Sequence, residues 1–562
     1  MRFALLALAA AAALAAAILI LLPPPTMATP SPHWTPDRLT VRGAYHVHSV
    51  TSDGTGTADE IAAAAARAGL GFVVLTDHGD GTRTPEPPRY RHGVLCIDAF
   101  EVNTTGGHLV VLGAAPSPYP LAGSPAAVLE DVHRLGGIGI AAHPGSPRAS
   151  LSWTAWAADI DGLEWLNADS EWRDEMFGSL GRLLLGYAFR PAEALASTLD
   201  RPDRVMEQWD TAAARARVVG LAGADAHARL GAPRRTDPDE DGWHLRLPSY
   251  EASFRTFGLR VRLDAALSGD PVPDAEDILT RIRWGHVYTV IDGLATPGAF
   301  EFSATSGGGS AMTGDALAIV GDVMLHARAA APPGTRLVVV KDGEALYDTT
   351  DPEMHLGVGA RPGVYRVELY TPRAPGHPPV PWLVSNPIYV GMRVAQEEAL
   401  RARRRPDARG GDPLPIDAAT PEASPGSESR LLPERAADGT ATWQYRLSDA
   451  VGGYAALRLP ASGLQGADRL QIRARAEAPM RLWIQLRTSS GAEERWGQTL
   501  YLDPSERTHE LFFDAFEPLG PTSSARPRLD DVDAVLLVVD GVNARPGWRG
   551  TVHVAEARPA AP

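Results

Sequence analysis

Six of the sixteen histidines in this chain stand at the ends or starts of short apolar runs in its first half, interleaved with carboxylates. The runs read Ala44-Tyr-His46-Val-His48, Phe72 to Asp77-His78, Leu95 to Glu101 and His108-Leu-Val-Val-Leu. They continue as Gly139 to His143, Asp161-Gly-Leu-Glu164 and Gly220 to Asp225-Ala-His227. Imidazole and carboxylate without thiolate are the donors that suit Zn, Mn or Fe. Buried parallel strands read as apolar runs, and barrel enzymes carry their chemistry at the strands' C-terminal ends. The chemistry indicated is multinuclear metal-dependent hydrolysis, in which paired cations activate a water and polarise the bond it attacks.

His46-Val-His48 is expected on a strand, whose period of two would put both imidazoles on one side. Ser52-Asp53-Gly54 reads as a tight turn that returns a carboxylate to the same edge. Asp77 is either a ligand or the partner that orients His78. Glu101 ends the third run, where a carboxylate can bridge two cations. His108 is a ligand or a satisfied strand histidine, and Glu164 and Asn167 are site residues or supports behind them. Arg83, Arg148, Arg234 and Arg235 lie in loops, where they pair with an anionic substrate or are simply solvated.

These residues need elements to position them. From 36 to 292 the apolar runs alternate with helical patterns, such as Ala58 to Arg67 and Ala126 to Leu135, which predicts an α/β unit with a parallel sheet or barrel. Asp169 to Arg217 reads as a helical insertion over the barrel mouth. Arg229 to Ser249 reads as a polar substrate lid. Short alternating runs from 296 to 392 predict a small β-sandwich, 393 to 430 reads as a linker, and 431 to 558 is a second β-rich unit.

A chain of 562 residues requires several domains, and its net charge of −15 argues against a nucleic-acid partner. Cys96 is alone, so no intrachain disulfide is expected, and its apolar neighbours mark it as a small buried hydrophobe. Phe3 to Leu22 is an apolar stretch behind Arg2, long enough to cross a bilayer and followed by a passable cleavage site at Thr26-Met27-Ala28. Residues 1–30 are therefore read as a signal peptide or an uncleaved anchor, the only membrane contact expected. Either way the body lies outside the cytoplasm, in the periplasm or tethered to the membrane.

Taken in order, His46 and His48, the Asp53 of Ser-Asp-Gly, Thr-Asp77-His78, Glu101, Ala-His143-Pro and Asp225-Ala-His227 resemble the polymerase and histidinol phosphatase (PHP) family of metal-dependent hydrolases. The likeness runs from Gly43 to His227. The segments Trp382-Leu-Val-Ser-Asn-Pro-Ile-Tyr and Gly285-His-Val-Tyr resemble its exported, carbaryl-hydrolase-like branch. The resemblance implies a distorted seven-stranded (β/α) barrel with two or three divalent metals, here followed by two β-sandwich domains. It implies that His46, His48, Glu101 and Asp225 hold one metal. Asp53, His78 and His227 would hold a second, with Glu101 bridging, and His108 and His143 would complete a third. Some family members carry histidine where this chain has Asp53, which bears on the metal. Asp53, Glu101 and His227 are the residues expected to act in catalysis.

The expected activity is hydrolysis of a small-molecule substrate, a phosphate mono- or diester, through a metal-bridged hydroxide. The alternatives are a carbamate, ester or amide hydrolase, and a non-catalytic surface-binding protein; buried ligands without metals would be costly in the last. The final unit resembles galactose-binding-like jelly rolls. Its Trp483, Trp496 and Trp548 either present a glycan-binding face or pack the sandwich core.

Overall fold

In the computed structural model the described residues are 22–35, 39–170, 180–230, 245–296, 298–392, 409–461, 463–488 and 493–562. The chain divides into two compact units. One is Met1–Asp80, Thr84–Ala115 and Ser124–Gln396; the other is Gly81–Arg83, Pro116–Gly123 and Glu397–Pro562.

In the first unit eight strands carry the ligand runs: β1 (Leu39–Ala44), β2 (Phe72–Leu75), β3 (Val94–Asp98), β4 (Phe100–Thr104), β5 (Gly107–Leu112), β6 (Ile138–Ala141), β7 (Gly162–Asn167) and β8 (Val219–Gly223). β1, β2 and β3 pair in parallel. β4 to β8 form a second sheet in sequence order, in which β5 runs antiparallel to both neighbours. Parallel bridges Val47–Ala226 and His78–Glu101 link the two sheets. One core takes Tyr45, Phe72, Val74, Leu95 and Ile97 from the first sheet and Val110, Ile140, Val219 and Leu221 from the second.

Helices follow strands where the sequence supplies caps. Helix α1 (Ala58–Arg67) starts with a capping box, Thr57 accepting from the Glu60 amide while the Glu60 side chain accepts from Thr57, and buries Ile61, Ala62, Ala64 and Ala65. Helix α2 (Pro125–Arg134) starts on Ser124 with proline in its first turn. The insertion expected between Asp169 and Arg217 contains helices at Leu180–Phe189, Pro191–Ala196 and Asp203–Ala213.

Three boundaries differ from the sequence reading. Residues 36–292 and 296–392 are not separate domains, because Val287–Val290 pairs antiparallel with Leu383–Ser385 and carries the sheet of β1 to β3 into the sandwich. The linker 393–430 is too long: Arg409–Gly410, Thr420–Ala423 and Glu428–Leu431 all pair in the sheets of the second unit. Polar, proline-rich composition there reflects exposed edge positions. The leader boundary at 30 overlaps the folded body, since Met27–Ala28 pairs with Ala295–Thr296. Residues 1–21 lie outside the described residues, and among the described ones no helix is long and apolar enough to cross a membrane.

Asn386 acts as a surrogate strand. Its Oδ1 accepts from the Gly220 amide at 2.7 Å, and its Nδ2 donates to the Gly220 and Val287 carbonyls at 3.0 and 2.9 Å. All of this is buried. Asn386→Leu leaves three buried backbone groups of two strands unpaired, and each costs about 1–3 kcal/mol. The variant is expected to lose at least ~3 kcal/mol of stability in thermal denaturation; an unchanged melting temperature would contradict the surrogate-strand role.

Among its described residues the second unit forms two antiparallel sheets of six strands each around one core. Trp443, Ile472 and Val552 face it from one sheet and Leu457, Ile484 and Leu537 from the other. Trp496 is buried in that core and Trp548 packs against it, while half-buried Trp483 packs on Ala456, Ala534, Leu536 and Val538.

Candidate metal centre

β1 stops at Ala44, and the chain then turns sharply. His46 has φ 63°, a left-handed conformation that is rare for a residue with a side chain. The two imidazoles therefore do not converge through a strand's alternation, as the sequence suggested. They converge because the segment is pinned on both sides: the Val47 amide donates to Thr76 Oγ1 at 3.1 Å and the His48 amide to the Ala226 carbonyl at 3.1 Å. His143 (φ 30°) and Asp225 (φ 44°) are left-handed too. Strain of this kind persists only where the surroundings over-determine it, and it gathers at functional sites.

The nine expected ligands come together in four overlapping groups: His46, His48 and Glu101; His46, His143 and Asp225; His48, Asp53, His78 and His227; His78, Glu101 and His108. Within each group the donor atoms lie within 4.8 Å of one another. The grouping differs from the expected one: Asp225 falls with His46 and His143 and not with His48 and Glu101, and Glu101 is absent from the group of Asp53, His78 and His227. His48 also belongs with Asp53, His78 and His227, and His108 and His143 fall in different groups. Both of the latter nonetheless meet Glu101.

Glu101 is buried and divides its oxygens between two sets of imidazoles. Its Oε1 is 2.8 Å from His108 Nδ1 and 3.0 Å from His143 Nε2. Its Oε2 is 3.2 Å from His46 Nε2, 3.3 Å from His48 Nε2 and 3.4 Å from His78 Nδ1. Asp225 Oδ1 lies 3.4 Å from the Nε2 atoms of both His46 and His48, which are themselves 3.1 Å apart. Asp53 Oδ2 is 3.1 Å from His227 Nε2.

Outer contacts fix which ring nitrogen faces inward. His46 Nδ1 donates to Glu164 Oε1 at 2.6 Å, His143 Nδ1 to the Leu151 carbonyl at 3.2 Å and His227 Nδ1 to the Asp225 carbonyl at 2.9 Å. Each Nε2 then faces the carboxylates, to which it donates while protonated and beside which it would offer its lone pair to a cation. The donor set therefore fits more than one divalent cation. Nitrogen and carboxylate donors converge within 4.8 Å of one another, and the tautomers of His46, His143 and His227 are set from behind.

Glu164 and Asn167 are supports. Glu164 Oε2 accepts from the His143 amide at 2.7 Å and from Asn167 Nδ2 at 2.8 Å, so one buried carboxylate holds two strained ligands. Gly223 makes room for it, since a Cβ there would lie 2.2 Å from Glu164 Oε1. In Glu164→Gln an amide N–H would face either the His46 N–H or the donors on the other oxygen. Metal affinity, read by competition with a chromophoric chelator, is expected to fall about 10- to 100-fold. An affinity within twofold of the parent would show that Glu164 does not orient His46.

Asp77 neither joins the ligand groups nor orients His78. It accepts from the Ser49 amide and hydroxyl at 2.7 and 2.6 Å and from Ser52 Oγ at 2.7 Å, holding the turn that delivers Asp53. In that turn a Cβ on Gly54 would lie 2.2 Å from the His48 carbonyl oxygen. Tyr250 completes the support: its hydroxyl accepts from the Thr55 amide at 3.1 Å and donates to the His48 carbonyl at 2.8 Å. No local signal marks Tyr250, which lies 202 residues from His48.

Charge inside the cluster is mutually balanced. Burial works to lower the pKa of His48 and of His143, but hydrogen bonds to Asp225 and Glu101 on the first and to Glu101 on the second raise each to about 9. Burial likewise opposes ionisation of Glu101 and Asp225, yet the imidazoles, His46 foremost, hold both well below the carboxylate range. Asp53 and His78 are the most exposed ligands, at 36% and 33%, whereas His46 and His48 have no exposure, so the cluster opens on the Asp53 side.

Arg148 is exposed in the turn after His143, where its carbonyl accepts from Leu151 and Ser152. Arg83 is exposed. Arg234, Arg235 and most of the expected lid lie outside the described residues. Arg229, which the sequence reading did not single out, places Nη1 3.5 Å from the Asp53 carbonyl. With Asp225 and His227 it lines a cavity whose remaining wall includes Leu195, Leu199, Ala224 and Pro248. Cys96 is buried in an apolar layer that pushes its thiol up to about 11, in keeping with a packing role.

No family model matches the chain, and no curated protein matches it. Among solved structures it is similar to the family 11 carbohydrate-binding module of a cellulosomal cellulase of Clostridium thermocellum, at 15% identity and a TM-score of 0.22, covering 27% of this chain and 95% of the module. It is also similar to a family 29 carbohydrate-binding module, at 13% identity and a TM-score of 0.19, covering 27% of this chain and 91% of that one.

Proposed function

We propose that the first unit is a PHP-type barrel and a metal-dependent hydrolase, acting first on small phosphate esters. The observation that carries this reading is Glu101, whose two oxygens face two different sets of imidazoles. A ring of strands supports the barrel reading: the two sheets share one core and are bridged at Val47–Ala226 and His78–Glu101.

Two or three divalent ions held by the nine residues would supply Lewis acidity and a water of lowered pKa. The chain's own part follows from geometry. His46, His48, Glu101 and Asp225 form the closed floor. Asp53, His78 and His227 form the rim, so substrate enters there. Asp53 and His227 are the groups placed to hold or pass a proton at the rim, with the His227 Nε2 aimed at Asp53. Arg229 stands behind Asp53 with a planar fork suited to phosphate oxygens.

A second reading, carbamate or ester hydrolysis, is favoured by the apolar wall of Leu195, Leu199 and Pro248 beside Asp225 and His227. Kinetics on the Mn- and Zn-loaded protein with p-nitrophenyl phosphate, bis-p-nitrophenyl phosphate and a naphthyl carbamate separate the two. We expect the larger kcat/KM on a phosphate ester. A carbamate value far above both would replace the substrate class, and no turnover of any of the three would count against the hydrolase itself.

Export is part of the proposal, supported by the apolar run Phe3 to Leu22, and is tested by cell fractionation: full-length protein in the cytoplasm would refute it. Glycan binding by the second unit is a separate proposal, tested by retention on insoluble polysaccharides with and without Trp483→Ala.

A further inference from the structure

The sandwich in the first unit carries a second pair of facing imidazoles, on a sheet that holds none of the nine ligands. Strands Val323–Ala330 and Glu353–Gly359 pair antiparallel, and His326 stands directly opposite His355 in the register. Their side chains share a face, with Nδ1 atoms 2.8 Å apart and rings at 80°. His355 is 61% exposed, so solution ions reach the pair.

The outer ring nitrogens have partners of their own. His355 Nε2 lies 3.5 Å from Glu353 Oε1, and His326 Nε2 lies 3.4 Å from Thr305 Oγ1. A proton on each Nε2, directed at the carboxylate and at the hydroxyl oxygen, leaves both Nδ1 lone pairs facing each other. A cation between or beside them relieves that arrangement; the alternative is to move one proton to Nδ1 and give up its outer contact for an N–H···N hydrogen bond. Burial, then the neighbouring His355, keeps His326 below the usual imidazole range, which favours its neutral, ligating form. Arg328, two residues beyond His326, pairs with Glu301.

Geometry selects among cations. Two nitrogens each about 2.0 Å from a metal lie about 2.8 Å apart at a right angle and about 3.3 Å apart at the tetrahedral angle. The observed 2.8 Å matches the right angle. Tetragonal, nitrogen-seeking divalent ions meet that requirement, and Cu²⁺ binds such donors most strongly in its row. We propose that His326 and His355 form a surface site for a tetragonal divalent cation, Cu²⁺ above all, bound through both Nδ1 atoms with water completing its sphere. This stands independently of the hydrolase reading.

The test is Cu²⁺ titration of the full-length, zinc-loaded protein, followed by calorimetry and electron paramagnetic resonance, with zinc content measured at each point. The expected result is uptake of a Cu²⁺ equivalent with two-nitrogen hyperfine structure and no release of zinc. His355→Ala and His326→Ala should each weaken that binding at least about 10-fold. Both positions are on the sheet surface, so unchanged circular dichroism will show that the fold is retained. Equal Cu²⁺ affinity in parent and variants, or uptake only in exchange for zinc, would overturn the site and leave an N–H···N hydrogen bond as the role of the pair.

Discussion

Glu101→Gln is expected to abolish hydrolysis and to lower metal content below that of the parent even after reconstitution. The carboxylate is buried with one oxygen toward His108 and His143 and the other toward His46, His48 and His78. Gln keeps the shape but turns one oxygen into an N–H₂ donor. Whichever way the amide sits, one set of nitrogens loses its shared anionic partner, and a cation held there would lose a ligand. Removing a mere support costs about 10- to 100-fold in affinity, so a bridging ligand should cost at least about 100-fold. Elemental analysis after dialysis checks this. Parent-like metal content in a folded Glu101→Gln protein would show that Glu101 does not bridge.

The second large effect concerns pH. In protein stripped by a chelator, His48 and His143 titrate near 9 against an ordinary 6.5, because Asp225 and Glu101 favour the charged form more than burial opposes it. A group whose folded value is raised stabilises the fold fully below pH 6.5, and that stabilisation is lost as pH rises through 9. Each shift corresponds to roughly 3 kcal/mol, the pair summing to less because the groups interact. Asp53, Glu101 and Asp225, held low, lose their contribution only in strong acid. The melting temperature of the stripped protein should therefore fall steeply between about pH 7 and 10. The Zn-loaded protein should hold its value, since cations replace the protons. Parallel curves for the two forms would contradict the mutual neutralisation described here.

The nine residues that meet in the cluster stand out in the sequence because, apart from Asp53 in its turn, each is a polar residue closing or opening an apolar run, a contrast that burial enforces. How they converge was not legible. The alternation argument for His46 and His48 fails because the ladder ends at Ala44 and His46 adopts φ 63°, a choice made by distant pins at Thr76 and Ala226. His108 opens its run where the others close theirs because β5 is antiparallel, which places its start at the edge where the parallel strands end. Asp77 reads like a ligand, but only folding reveals the two serines it serves.

Supports supplied from far along the chain left no local trace. Tyr250 and Arg229 act at the turn of Asp53, and Asn386 bonds β8 through its side chain, so neither strand pattern nor composition points to them. The same cause hid the continuity of the sheet of β1 to β3 with the strands beyond residue 296, which rests on the pairing of Val287–Val290 with Leu383–Ser385.

The most direct test of the central claim is a crystal structure of the zinc- or manganese-reconstituted protein with diffraction recorded on both sides of the metal's absorption edge. Two or more anomalous peaks are expected within ligand distance of the nine side chains, with Glu101 reaching two of them through different oxygens. Anomalous density absent from the cluster, with the histidines and carboxylates paired only to one another, would contradict that claim.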